Sequence, residues 1–299
     1  MVQASPSGDN TETDHIDFRG RLVRLGPVIQ EILSRHNYPI PVAQILAELL
    51  ALAVAMSSAL KYEGSFSLQI RGDGPVSLML ADVTHTGEVR GYADVRASRV
   101  NEIDDASDFA KIFGKGYLAF TVDQGSHAQL YQGIVELKGN DLTSGITHYF
   151  RQSEQFDAAL KIAARRTNEG TWRAAAAMLQ RLPEQKSDNP SEDELASRAA
   201  WQNAMVLMAT LSDRELLDFD LTASDLLFRL FHEDGVRVFE PRPIHVGCRC
   251  SQEKVEKVVA SLTSEQRQEM TVDGEITVTC QFCNKIFRFS EEAIAALGT

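Results

Sequence analysis

Four cysteines, arranged as Cys248-Arg-Cys250 and Cys280-Gln-Phe-Cys283, are the entire thiol content of a 299-residue chain, and all four fall within its last 52 residues. Two tight pairs separated by 29 residues constrain the local fold more than any other feature. Each pair is short enough to bite one ion, and a small fold must bring the two bites together. A disulfide framework for a secreted domain would be spread through the chain instead. Four thiolates fill a tetrahedral shell and leave no open position, so the pattern points to zinc in a structural or switching role rather than to activated water. The module around the pairs has room for only a thin core, so metal binding is expected to supply much of its folding free energy. A disulfide within Cys-x-Cys closes a very small ring, strained and easily reduced, which suits reversible oxidation better than permanent stapling.

Three alternatives are weighed against this reading. A static zinc ribbon that only holds a small domain together fits the spacing equally well. His245 lies three residues before Cys248 and is a substitute ligand, although four sulfurs already complete the shell. Cys280 and Cys283 have thioredoxin-type spacing, but no βαβ pattern surrounds them and a second pair accompanies them. The tripeptide Arg71-Gly72-Asp73 is explained by a hairpin turn. No Walker loop or Gly-x-Gly-x-x-Gly fingerprint is found, and nothing suggests a catalytic triad, so no enzymatic activity is expected.

Charge narrows the partners. The formal net charge is −12, which argues against sequence-independent binding to nucleic acid and against anionic membrane surfaces. No stretch reaches the roughly 20 apolar residues of a membrane span. Met1–Asp17 is polar, without a basic start or apolar h-region, so it is read as a disordered extension rather than a leader. The expected compartment is the cytoplasm, where thiols are kept reduced.

The chain divides by pattern into an α+β core domain over 18–183, a helical linker over 184–240 and a small C-terminal zinc-binding domain over 241–299. In the core domain, alternating segments predict strands over 19–26, 65–71, 76–82, 89–95, 116–122, 129–137 and 159–166, giving antiparallel sheet. Helices are expected over 27–34, 42–62 and 144–156, and over 172–182, where alanine is abundant. The linker begins in a polar, proline-bearing stretch and holds 13 acidic against 5 basic side chains, a net of −8. Apolar residues recur in it at helical spacing: Trp201, Met205 and Met208, then Leu226, Leu227, Leu230 and Phe231. Such a stripe is most often plain core, but a Met-rich, aromatic face also suits varied client proteins. In the last domain, strands are expected over 236–239, 275–279 and 286–289, and helices over 252–262 and 291–297.

Motifs along most of the chain then give a family resemblance. Leu60-Lys-Tyr-Glu-Gly64, Leu68-Gln-Ile-Arg-Gly-Asp-Gly-Pro75, Arg90-Gly-Tyr92, Gly116-Tyr-Leu118, Tyr131-Gln-Gly-Ile-Val135 and His148-Tyr-Phe-Arg-Gln-Ser-Glu-Gln155 lie in the core domain. Cys248-Arg-Cys-Ser251, Cys280-Gln-Phe-Cys283 and Phe287-Arg-Phe-Ser290 lie in the cysteine module. In this order, from about residue 18 to 298, the chain resembles the heat shock protein 33 family of redox-regulated holdase chaperones. It departs in a longer polar N-terminal extension and in Ala174-Ala-Ala-Ala177, which replaces a glycine-containing stretch.

The resemblance implies an ATP-independent chaperone that binds unfolding clients under oxidative stress. Reduced protein would hold Zn2+ through Cys248, Cys250, Cys280 and Cys283. Hypochlorite, or peroxide with heat, would form disulfides Cys248–Cys250 and Cys280–Cys283, release the metal and favour a homodimer. The module and linker would then unfold, because the linker is expected to lose its docking surface with the module. A static zinc-ribbon adaptor and a thiol oxidoreductase remain the alternatives.

Overall fold

The computed structural model describes residues 2–5, 18–103, 105–106, 108–125, 130–137, 141–149, 157–182, 190–233, 236–290 and 292–293. Its organising element is helix α2 (Ile40–Ser57), which is strongly apolar apart from Gln44 and Glu48 and buried along nearly its whole length. A helix this apolar must be enclosed, and two sheets enclose this one, antiparallel throughout except where residues 245–246 run parallel to 88–89. Among the described residues it is also the one helix long and apolar enough to span a membrane, yet here it is core.

One sheet has the order β10-β1-β2-β9-β8. It comprises β1 (Val2–Ser5), β2 (Phe18–Leu25), β8 (Ala158–Arg166), β9 (Trp172–Arg181) and β10 (Arg237–Val238). The other has the order β11-β5-β4-β3-β6-β7. It comprises β3 (Ser65–Gly72), β4 (Val76–Thr84), β5 (Glu88–Val95), β6 (Gly116–Asp123), β7 (Tyr131–Glu136) and β11 (His245–Val246). Helix α1 (Pro27–Ser34) starts on Pro27, whose missing N–H costs nothing in a first turn. The short helix α3 (Phe109–Phe113) closes one end of the core, and α4 (Leu142–Tyr149) packs near β8. Close approach of α2 to the second sheet fixes Gly91 in β5: a Cβ there would stand 3.0 Å from both Leu50 methyl carbons.

The run Trp172–Leu182, expected to be helical, is strand β9. It pairs with β2 over residues 174–181 and with β8 over residues 172–180. Alanine is the best helix former, but this context overrides propensity because both faces of the strand are covered. Ala174, Ala176 and Met178 face α2, whereas Ala175, Ala177 and Leu179 face the linker helices. Side chains this small let helices lie close on both sides of the sheet, so the departure at 174–177 has a packing consequence.

The linker contributes α5 (Pro190–Thr210), α6 (Asp213–Leu216) and α7 (Ala223–Phe231). Ser212 and Glu215 form a capping box at the start of α6, and Thr222 caps α7. These helices cover the outer face of the first sheet. Their docking surface is Phe18 and Leu22 of β2, Ala163 of β8 and the outward residues of β9. Arg24 of β2 fastens them further by donating to the carbonyls of Glu215, Leu216 and Leu221. The expectation that the cysteine module supplies this docking surface is therefore corrected, because the apolar partners lie on the core sheet.

Residues 2–5 of the extension expected to be disordered pair with both β2 and β10 as a strand. The rest of 1–17, the linker start at 183–189, the second half of the helix expected over 144–156 and all but residues 292–293 of the terminal helix lie outside the described residues.

The C-terminal module contains α8 (Gln252–Ser261), α9 (Ser264–Met270) and a three-stranded sheet of β12 (Thr271–Val272), β13 (Glu275–Thr279) and β14 (Ile286–Ser290). Among the described residues its apolar cluster has four buried members: Val259, Ile276, Phe287 and Phe289. Helix α9 and β12 follow no periodic apolar signal, and their positions were not expected from sequence.

Candidate metal centre

Each cysteine pair sits where regular structure gives out. Strand β11 joins the core sheet beside β5, with the Gly247 N–H donating to Val89 carbonyl oxygen at 3.0 Å. A Cβ on Gly247 would lie 2.6 Å from Glu88 Cβ, so only glycine lets the chain leave the sheet this closely. Cys248 follows at once, and Cys250 precedes Ser251, the N-cap of α8. The other pair occupies the turn between β13 and β14. There the Cys280 N–H donates to Lys285 oxygen at 2.9 Å, and the Asn284 N–H returns to Cys280 oxygen at 2.8 Å. Asn284 takes φ of 56°, a left-handed conformation that asparagine tolerates better than most residues.

The turns bring all four sulfurs within 4.8 Å of one another. Cys248 Sγ lies 3.7 Å from Cys280 Sγ, and Cys250 Sγ lies 3.5 Å from Cys283 Sγ. All four thiols are free and half-buried. His245 stands outside this cluster, in strand β11.

Four thiols this close cannot all ionise without compensation. Burial pushes the Cys248 thiol up. The Cys250 backbone N–H and the thiols of Cys250, Cys283 and Cys280 outweigh that and bring it down to about 7. Cys250 is pushed up by burial and by the three neighbouring sulfurs, and Cys283 is pushed up chiefly by burial. The bare cluster therefore favours the thiolate at Cys248 and disfavours it at Cys250 and Cys283, whereas a bound cation would favour deprotonation.

The spacer residues between the ligands, which the sequence reading passed over, reach into the core domain. Arg249 donates from Nη2 to Asp82 Oδ2 at 2.6 Å and from Nη1 to Ser65 Oγ at 2.9 Å. Asp82 is 3% exposed. It also accepts from Arg90 Nε and Nη2 at 2.8 and 2.6 Å and from Ser67 Oγ. Phe282, from the second spacer, lies under the Arg90 guanidinium, 3.9 Å from ring centroid to Cζ, and beside Tyr92. Asn284 donates from its side chain to the Arg35 carbonyl.

The apolar stripe of the linker falls elsewhere. Trp201, Met208, Leu226, Leu227 and Phe231 are buried against the first sheet, and Leu230 packs at the edge of that cluster. Met205 is 40% exposed and points off the stripe. The outer face of the same helices carries Leu195, Val206 and Phe228 in the open, and Phe228 is 65% exposed. Their spacing gave no signal, because isolated apolar residues on a polar face are common.

Comparison with known proteins agrees with this architecture. A family profile described as Hsp33 protein matches residues 11–290. The 33 kDa chaperonin of Caulobacter vibrioides is 35% identical over 284 residues, spanning 93% of this chain and 92% of its own. The 33 kDa chaperonin of Pseudomonas fluorescens is 37% identical over 286 residues, covering 95% and 90%. The crystal structure of the 33 kDa chaperonin (heat shock protein 33 homolog) of Thermotoga maritima superposes with a TM-score of 0.79 at 24% identity, covering 99% of this chain and 97% of that one. The chain belongs to the Hsp33 family, a family of chaperones.

Proposed function

We propose that this Hsp33-family chain is a cytoplasmic, redox-controlled holdase that retains zinc while reduced and binds unfolding clients once its cysteines are oxidised. The convergence of four free thiols in a module whose described residues bury only four apolar side chains in one cluster carries the reading. A tetrahedral four-sulfur zinc site with bonds of about 2.3 Å has sulfurs about 3.8 Å apart. The spacings of 3.5 and 3.7 Å suit that shell with little adjustment. Bound zinc would supply the charge that keeps four neighbouring thiols deprotonated.

Oxidation removes those ligands. Two thiolates and one molecule of hypochlorous acid would give a disulfide, chloride and hydroxide: the sulfurs lose two electrons and the chlorine gains them. Formed twice, as Cys248–Cys250 and Cys280–Cys283, the disulfides leave no four-thiolate shell. The contacts of 3.5 and 3.7 Å run across the two pairs, and local pairing requires each turn to close on itself as the module opens. Loss of the metal removes more folding free energy than a small core can replace. The chain from α7 to Cys248 runs through β10 and β11. Disorder in the module therefore pulls on the linker, whose detachment would bare Trp201, Met208, Leu226, Leu227, Leu230 and Phe231, alongside Met205. Clients would bind that surface, and a homodimer of the oxidised form would enlarge it. Neither nucleic acid nor a membrane is required.

The test is light scattering from a thermally unfolding client. Oxidised protein should suppress aggregation at near-equimolar ratio, and reduced zinc-loaded protein should not. Equal activity in both forms favours a static zinc-ribbon adaptor. Catalytic turnover of a disulfide substrate favours a thiol oxidoreductase.

A further inference from the structure

We infer that Asp82 and Arg90 of the core sheet form a receptor for the cysteine module, and that seating Arg249 and Phe282 in it couples module docking to metal retention. The inference rests on the metal reading above. It concerns the wall opposite the ligands rather than the ligands themselves.

The geometry is unusual in its economy. Arg249 is the one residue between Cys248 and Cys250, and Phe282 is one of two between Cys280 and Cys283. Each spacer projects away from the sulfurs and lands on the same small patch of β3, β4 and β5. Arg249 takes Asp82 and Ser65. Phe282 takes the face of Arg90, which itself holds Asp82. The two halves of the cluster thus meet on one Arg–Asp pair. Lys254 of α8 ties the arrangement back by donating from Nζ to the Arg249 carbonyl at 2.8 Å.

A carboxylate this buried needs its partners, since removing one from a buried charged network leaves charge uncompensated. Asp82 keeps Arg90 and Ser67 when the module leaves, so the core domain survives, but it loses the Arg249 fork. Fixed Cα positions on either side of Arg249 are required for that fork to reach both Ser65 and Asp82, and sharing one ion among four sulfurs supplies that fixity. Linkage then makes the effect reciprocal: if the metal holds the spacers in the docked geometry, docking holds the metal.

The experiment follows zinc transfer from reduced, zinc-loaded full-length protein to a chromophoric chelator. Arg249→Gln and Asp82→Asn should each accelerate metal loss about ten-fold, the scale of losses when the supports around a metal shell are removed. The double variant should lose metal more slowly than the product of the two single effects predicts, because both substitutions break the Arg249–Asp82 contact. Arg249→Lys, with one ammonium for two acceptors, should fall between. Arg249 is partly exposed, so its variants keep the core intact, and an unchanged thermal melt of the core strands checks this even if Asp82→Asn destabilises the fold. Rates within two-fold of the parent, or effects that multiply in the double variant, overturn the inference while leaving the metal reading standing. Protein that binds no zinc when reduced overturns both.

Discussion

The core domain and the cysteine module are both made of sheet and helix, yet they are stabilised by different means. In the core, α2 fills the space between two sheets, and its Leu46, Leu49 and Leu50 share one buried cluster with Phe66, Leu68 and Ile70 of β3. Burial on that scale supports a fold without help. The module has Val259, Ile276, Phe287 and Phe289, with Cys250 and Cys280 packed against them. Two of its cysteines are part of its core. On the function proposed above, such a region is stable while a metal holds those sulfurs and fails as a unit when it is lost, which is what a switch needs and what a scaffold must avoid. The linker lies between these extremes. It has a substantial apolar contact, but that contact belongs to the sheet beneath it rather than to the linker itself.

Metal removal should break the comparison open. Structural zinc supplies on the order of 10–16 kcal/mol of apparent folding free energy in small modules, more than the whole stability margin of many domains. Under reducing conditions, a chelator should abolish hydrogen-exchange protection in α8, β13 and β14 and leave β3, β4 and β9 unchanged. Helices α5–α7 should show an intermediate loss, since they keep the sheet but lose the order of the segment that leads from α7 to Cys248. Full protection of α5–α7 in the stripped and in the oxidised protein would confine the switch to the module.

How much of this was legible in the chain follows from the range of the interactions. The Cys248–Cys250 and Cys280–Cys283 pairs announce themselves because each bite is local, and only one long-range step joins them. The α+β class and most strands of the second sheet were readable from alternation and from the turn at Gly72–Pro75. Strand β9 was not, because alanine signals helix locally and its strand state is imposed by β2, β8 and two layers of helix. Strand β1 is defined by partners at residues 20–22 and 237–238, and nothing near it in sequence requires a strand. The Arg249–Asp82 contact spans 167 positions. One arginine between two cysteines looks like a solvated spacer until the sheet is placed beneath it.

A second prediction asks whether the core tolerates a defect that the module would not. Glu48 lies on α2, where burial pushes its carboxyl up to about 7. The Gln44 side chain and the Ala164 backbone pull it down, and Asp213 and Asp141 push it up. Asp213 is itself paired with Lys161 at 2.7 Å. The folded state therefore holds this proton more tightly than the unfolded chain, whose value is near 4.5. Its stabilising contribution is complete below about 4.5 and is lost as pH rises towards 7. Glu48→Gln keeps the shape without the charge. In urea titrations it should match the parent at pH 4 and exceed it by up to about 3 kcal/mol at pH 8. An equal gap at both pH values would mean that the carboxyl is not the source.

The smallest effect separates the regions most sharply, because it uses the same chemistry in each. Ser251 caps α8, accepting from the Lys254 N–H at 3.3 Å, and Thr222 caps α7, accepting from the Asp225 N–H at 3.1 Å. Replacing either by alanine removes a cap contribution of about 1 kcal/mol. If the metal-free module is unfolded, folding and metal binding there are one equilibrium, and every loss in the folded module appears in the metal affinity. Ser251→Ala should then weaken zinc binding by about five-fold, the equivalent of that 1 kcal/mol, with the melt of the core unmoved. Thr222→Ala should leave zinc affinity unchanged and ease exchange in α7, because its helix is stabilised by the sheet. Competition titration with a chelator and exchange on the two variants measure both. Should Thr222→Ala weaken zinc as much as Ser251→Ala does, the linker and module fold as one cooperative unit, and the division between a sheet-held linker and a metal-held module fails. Should neither variant alter zinc affinity, the metal-free module is already folded, and the metal cannot be what holds it together.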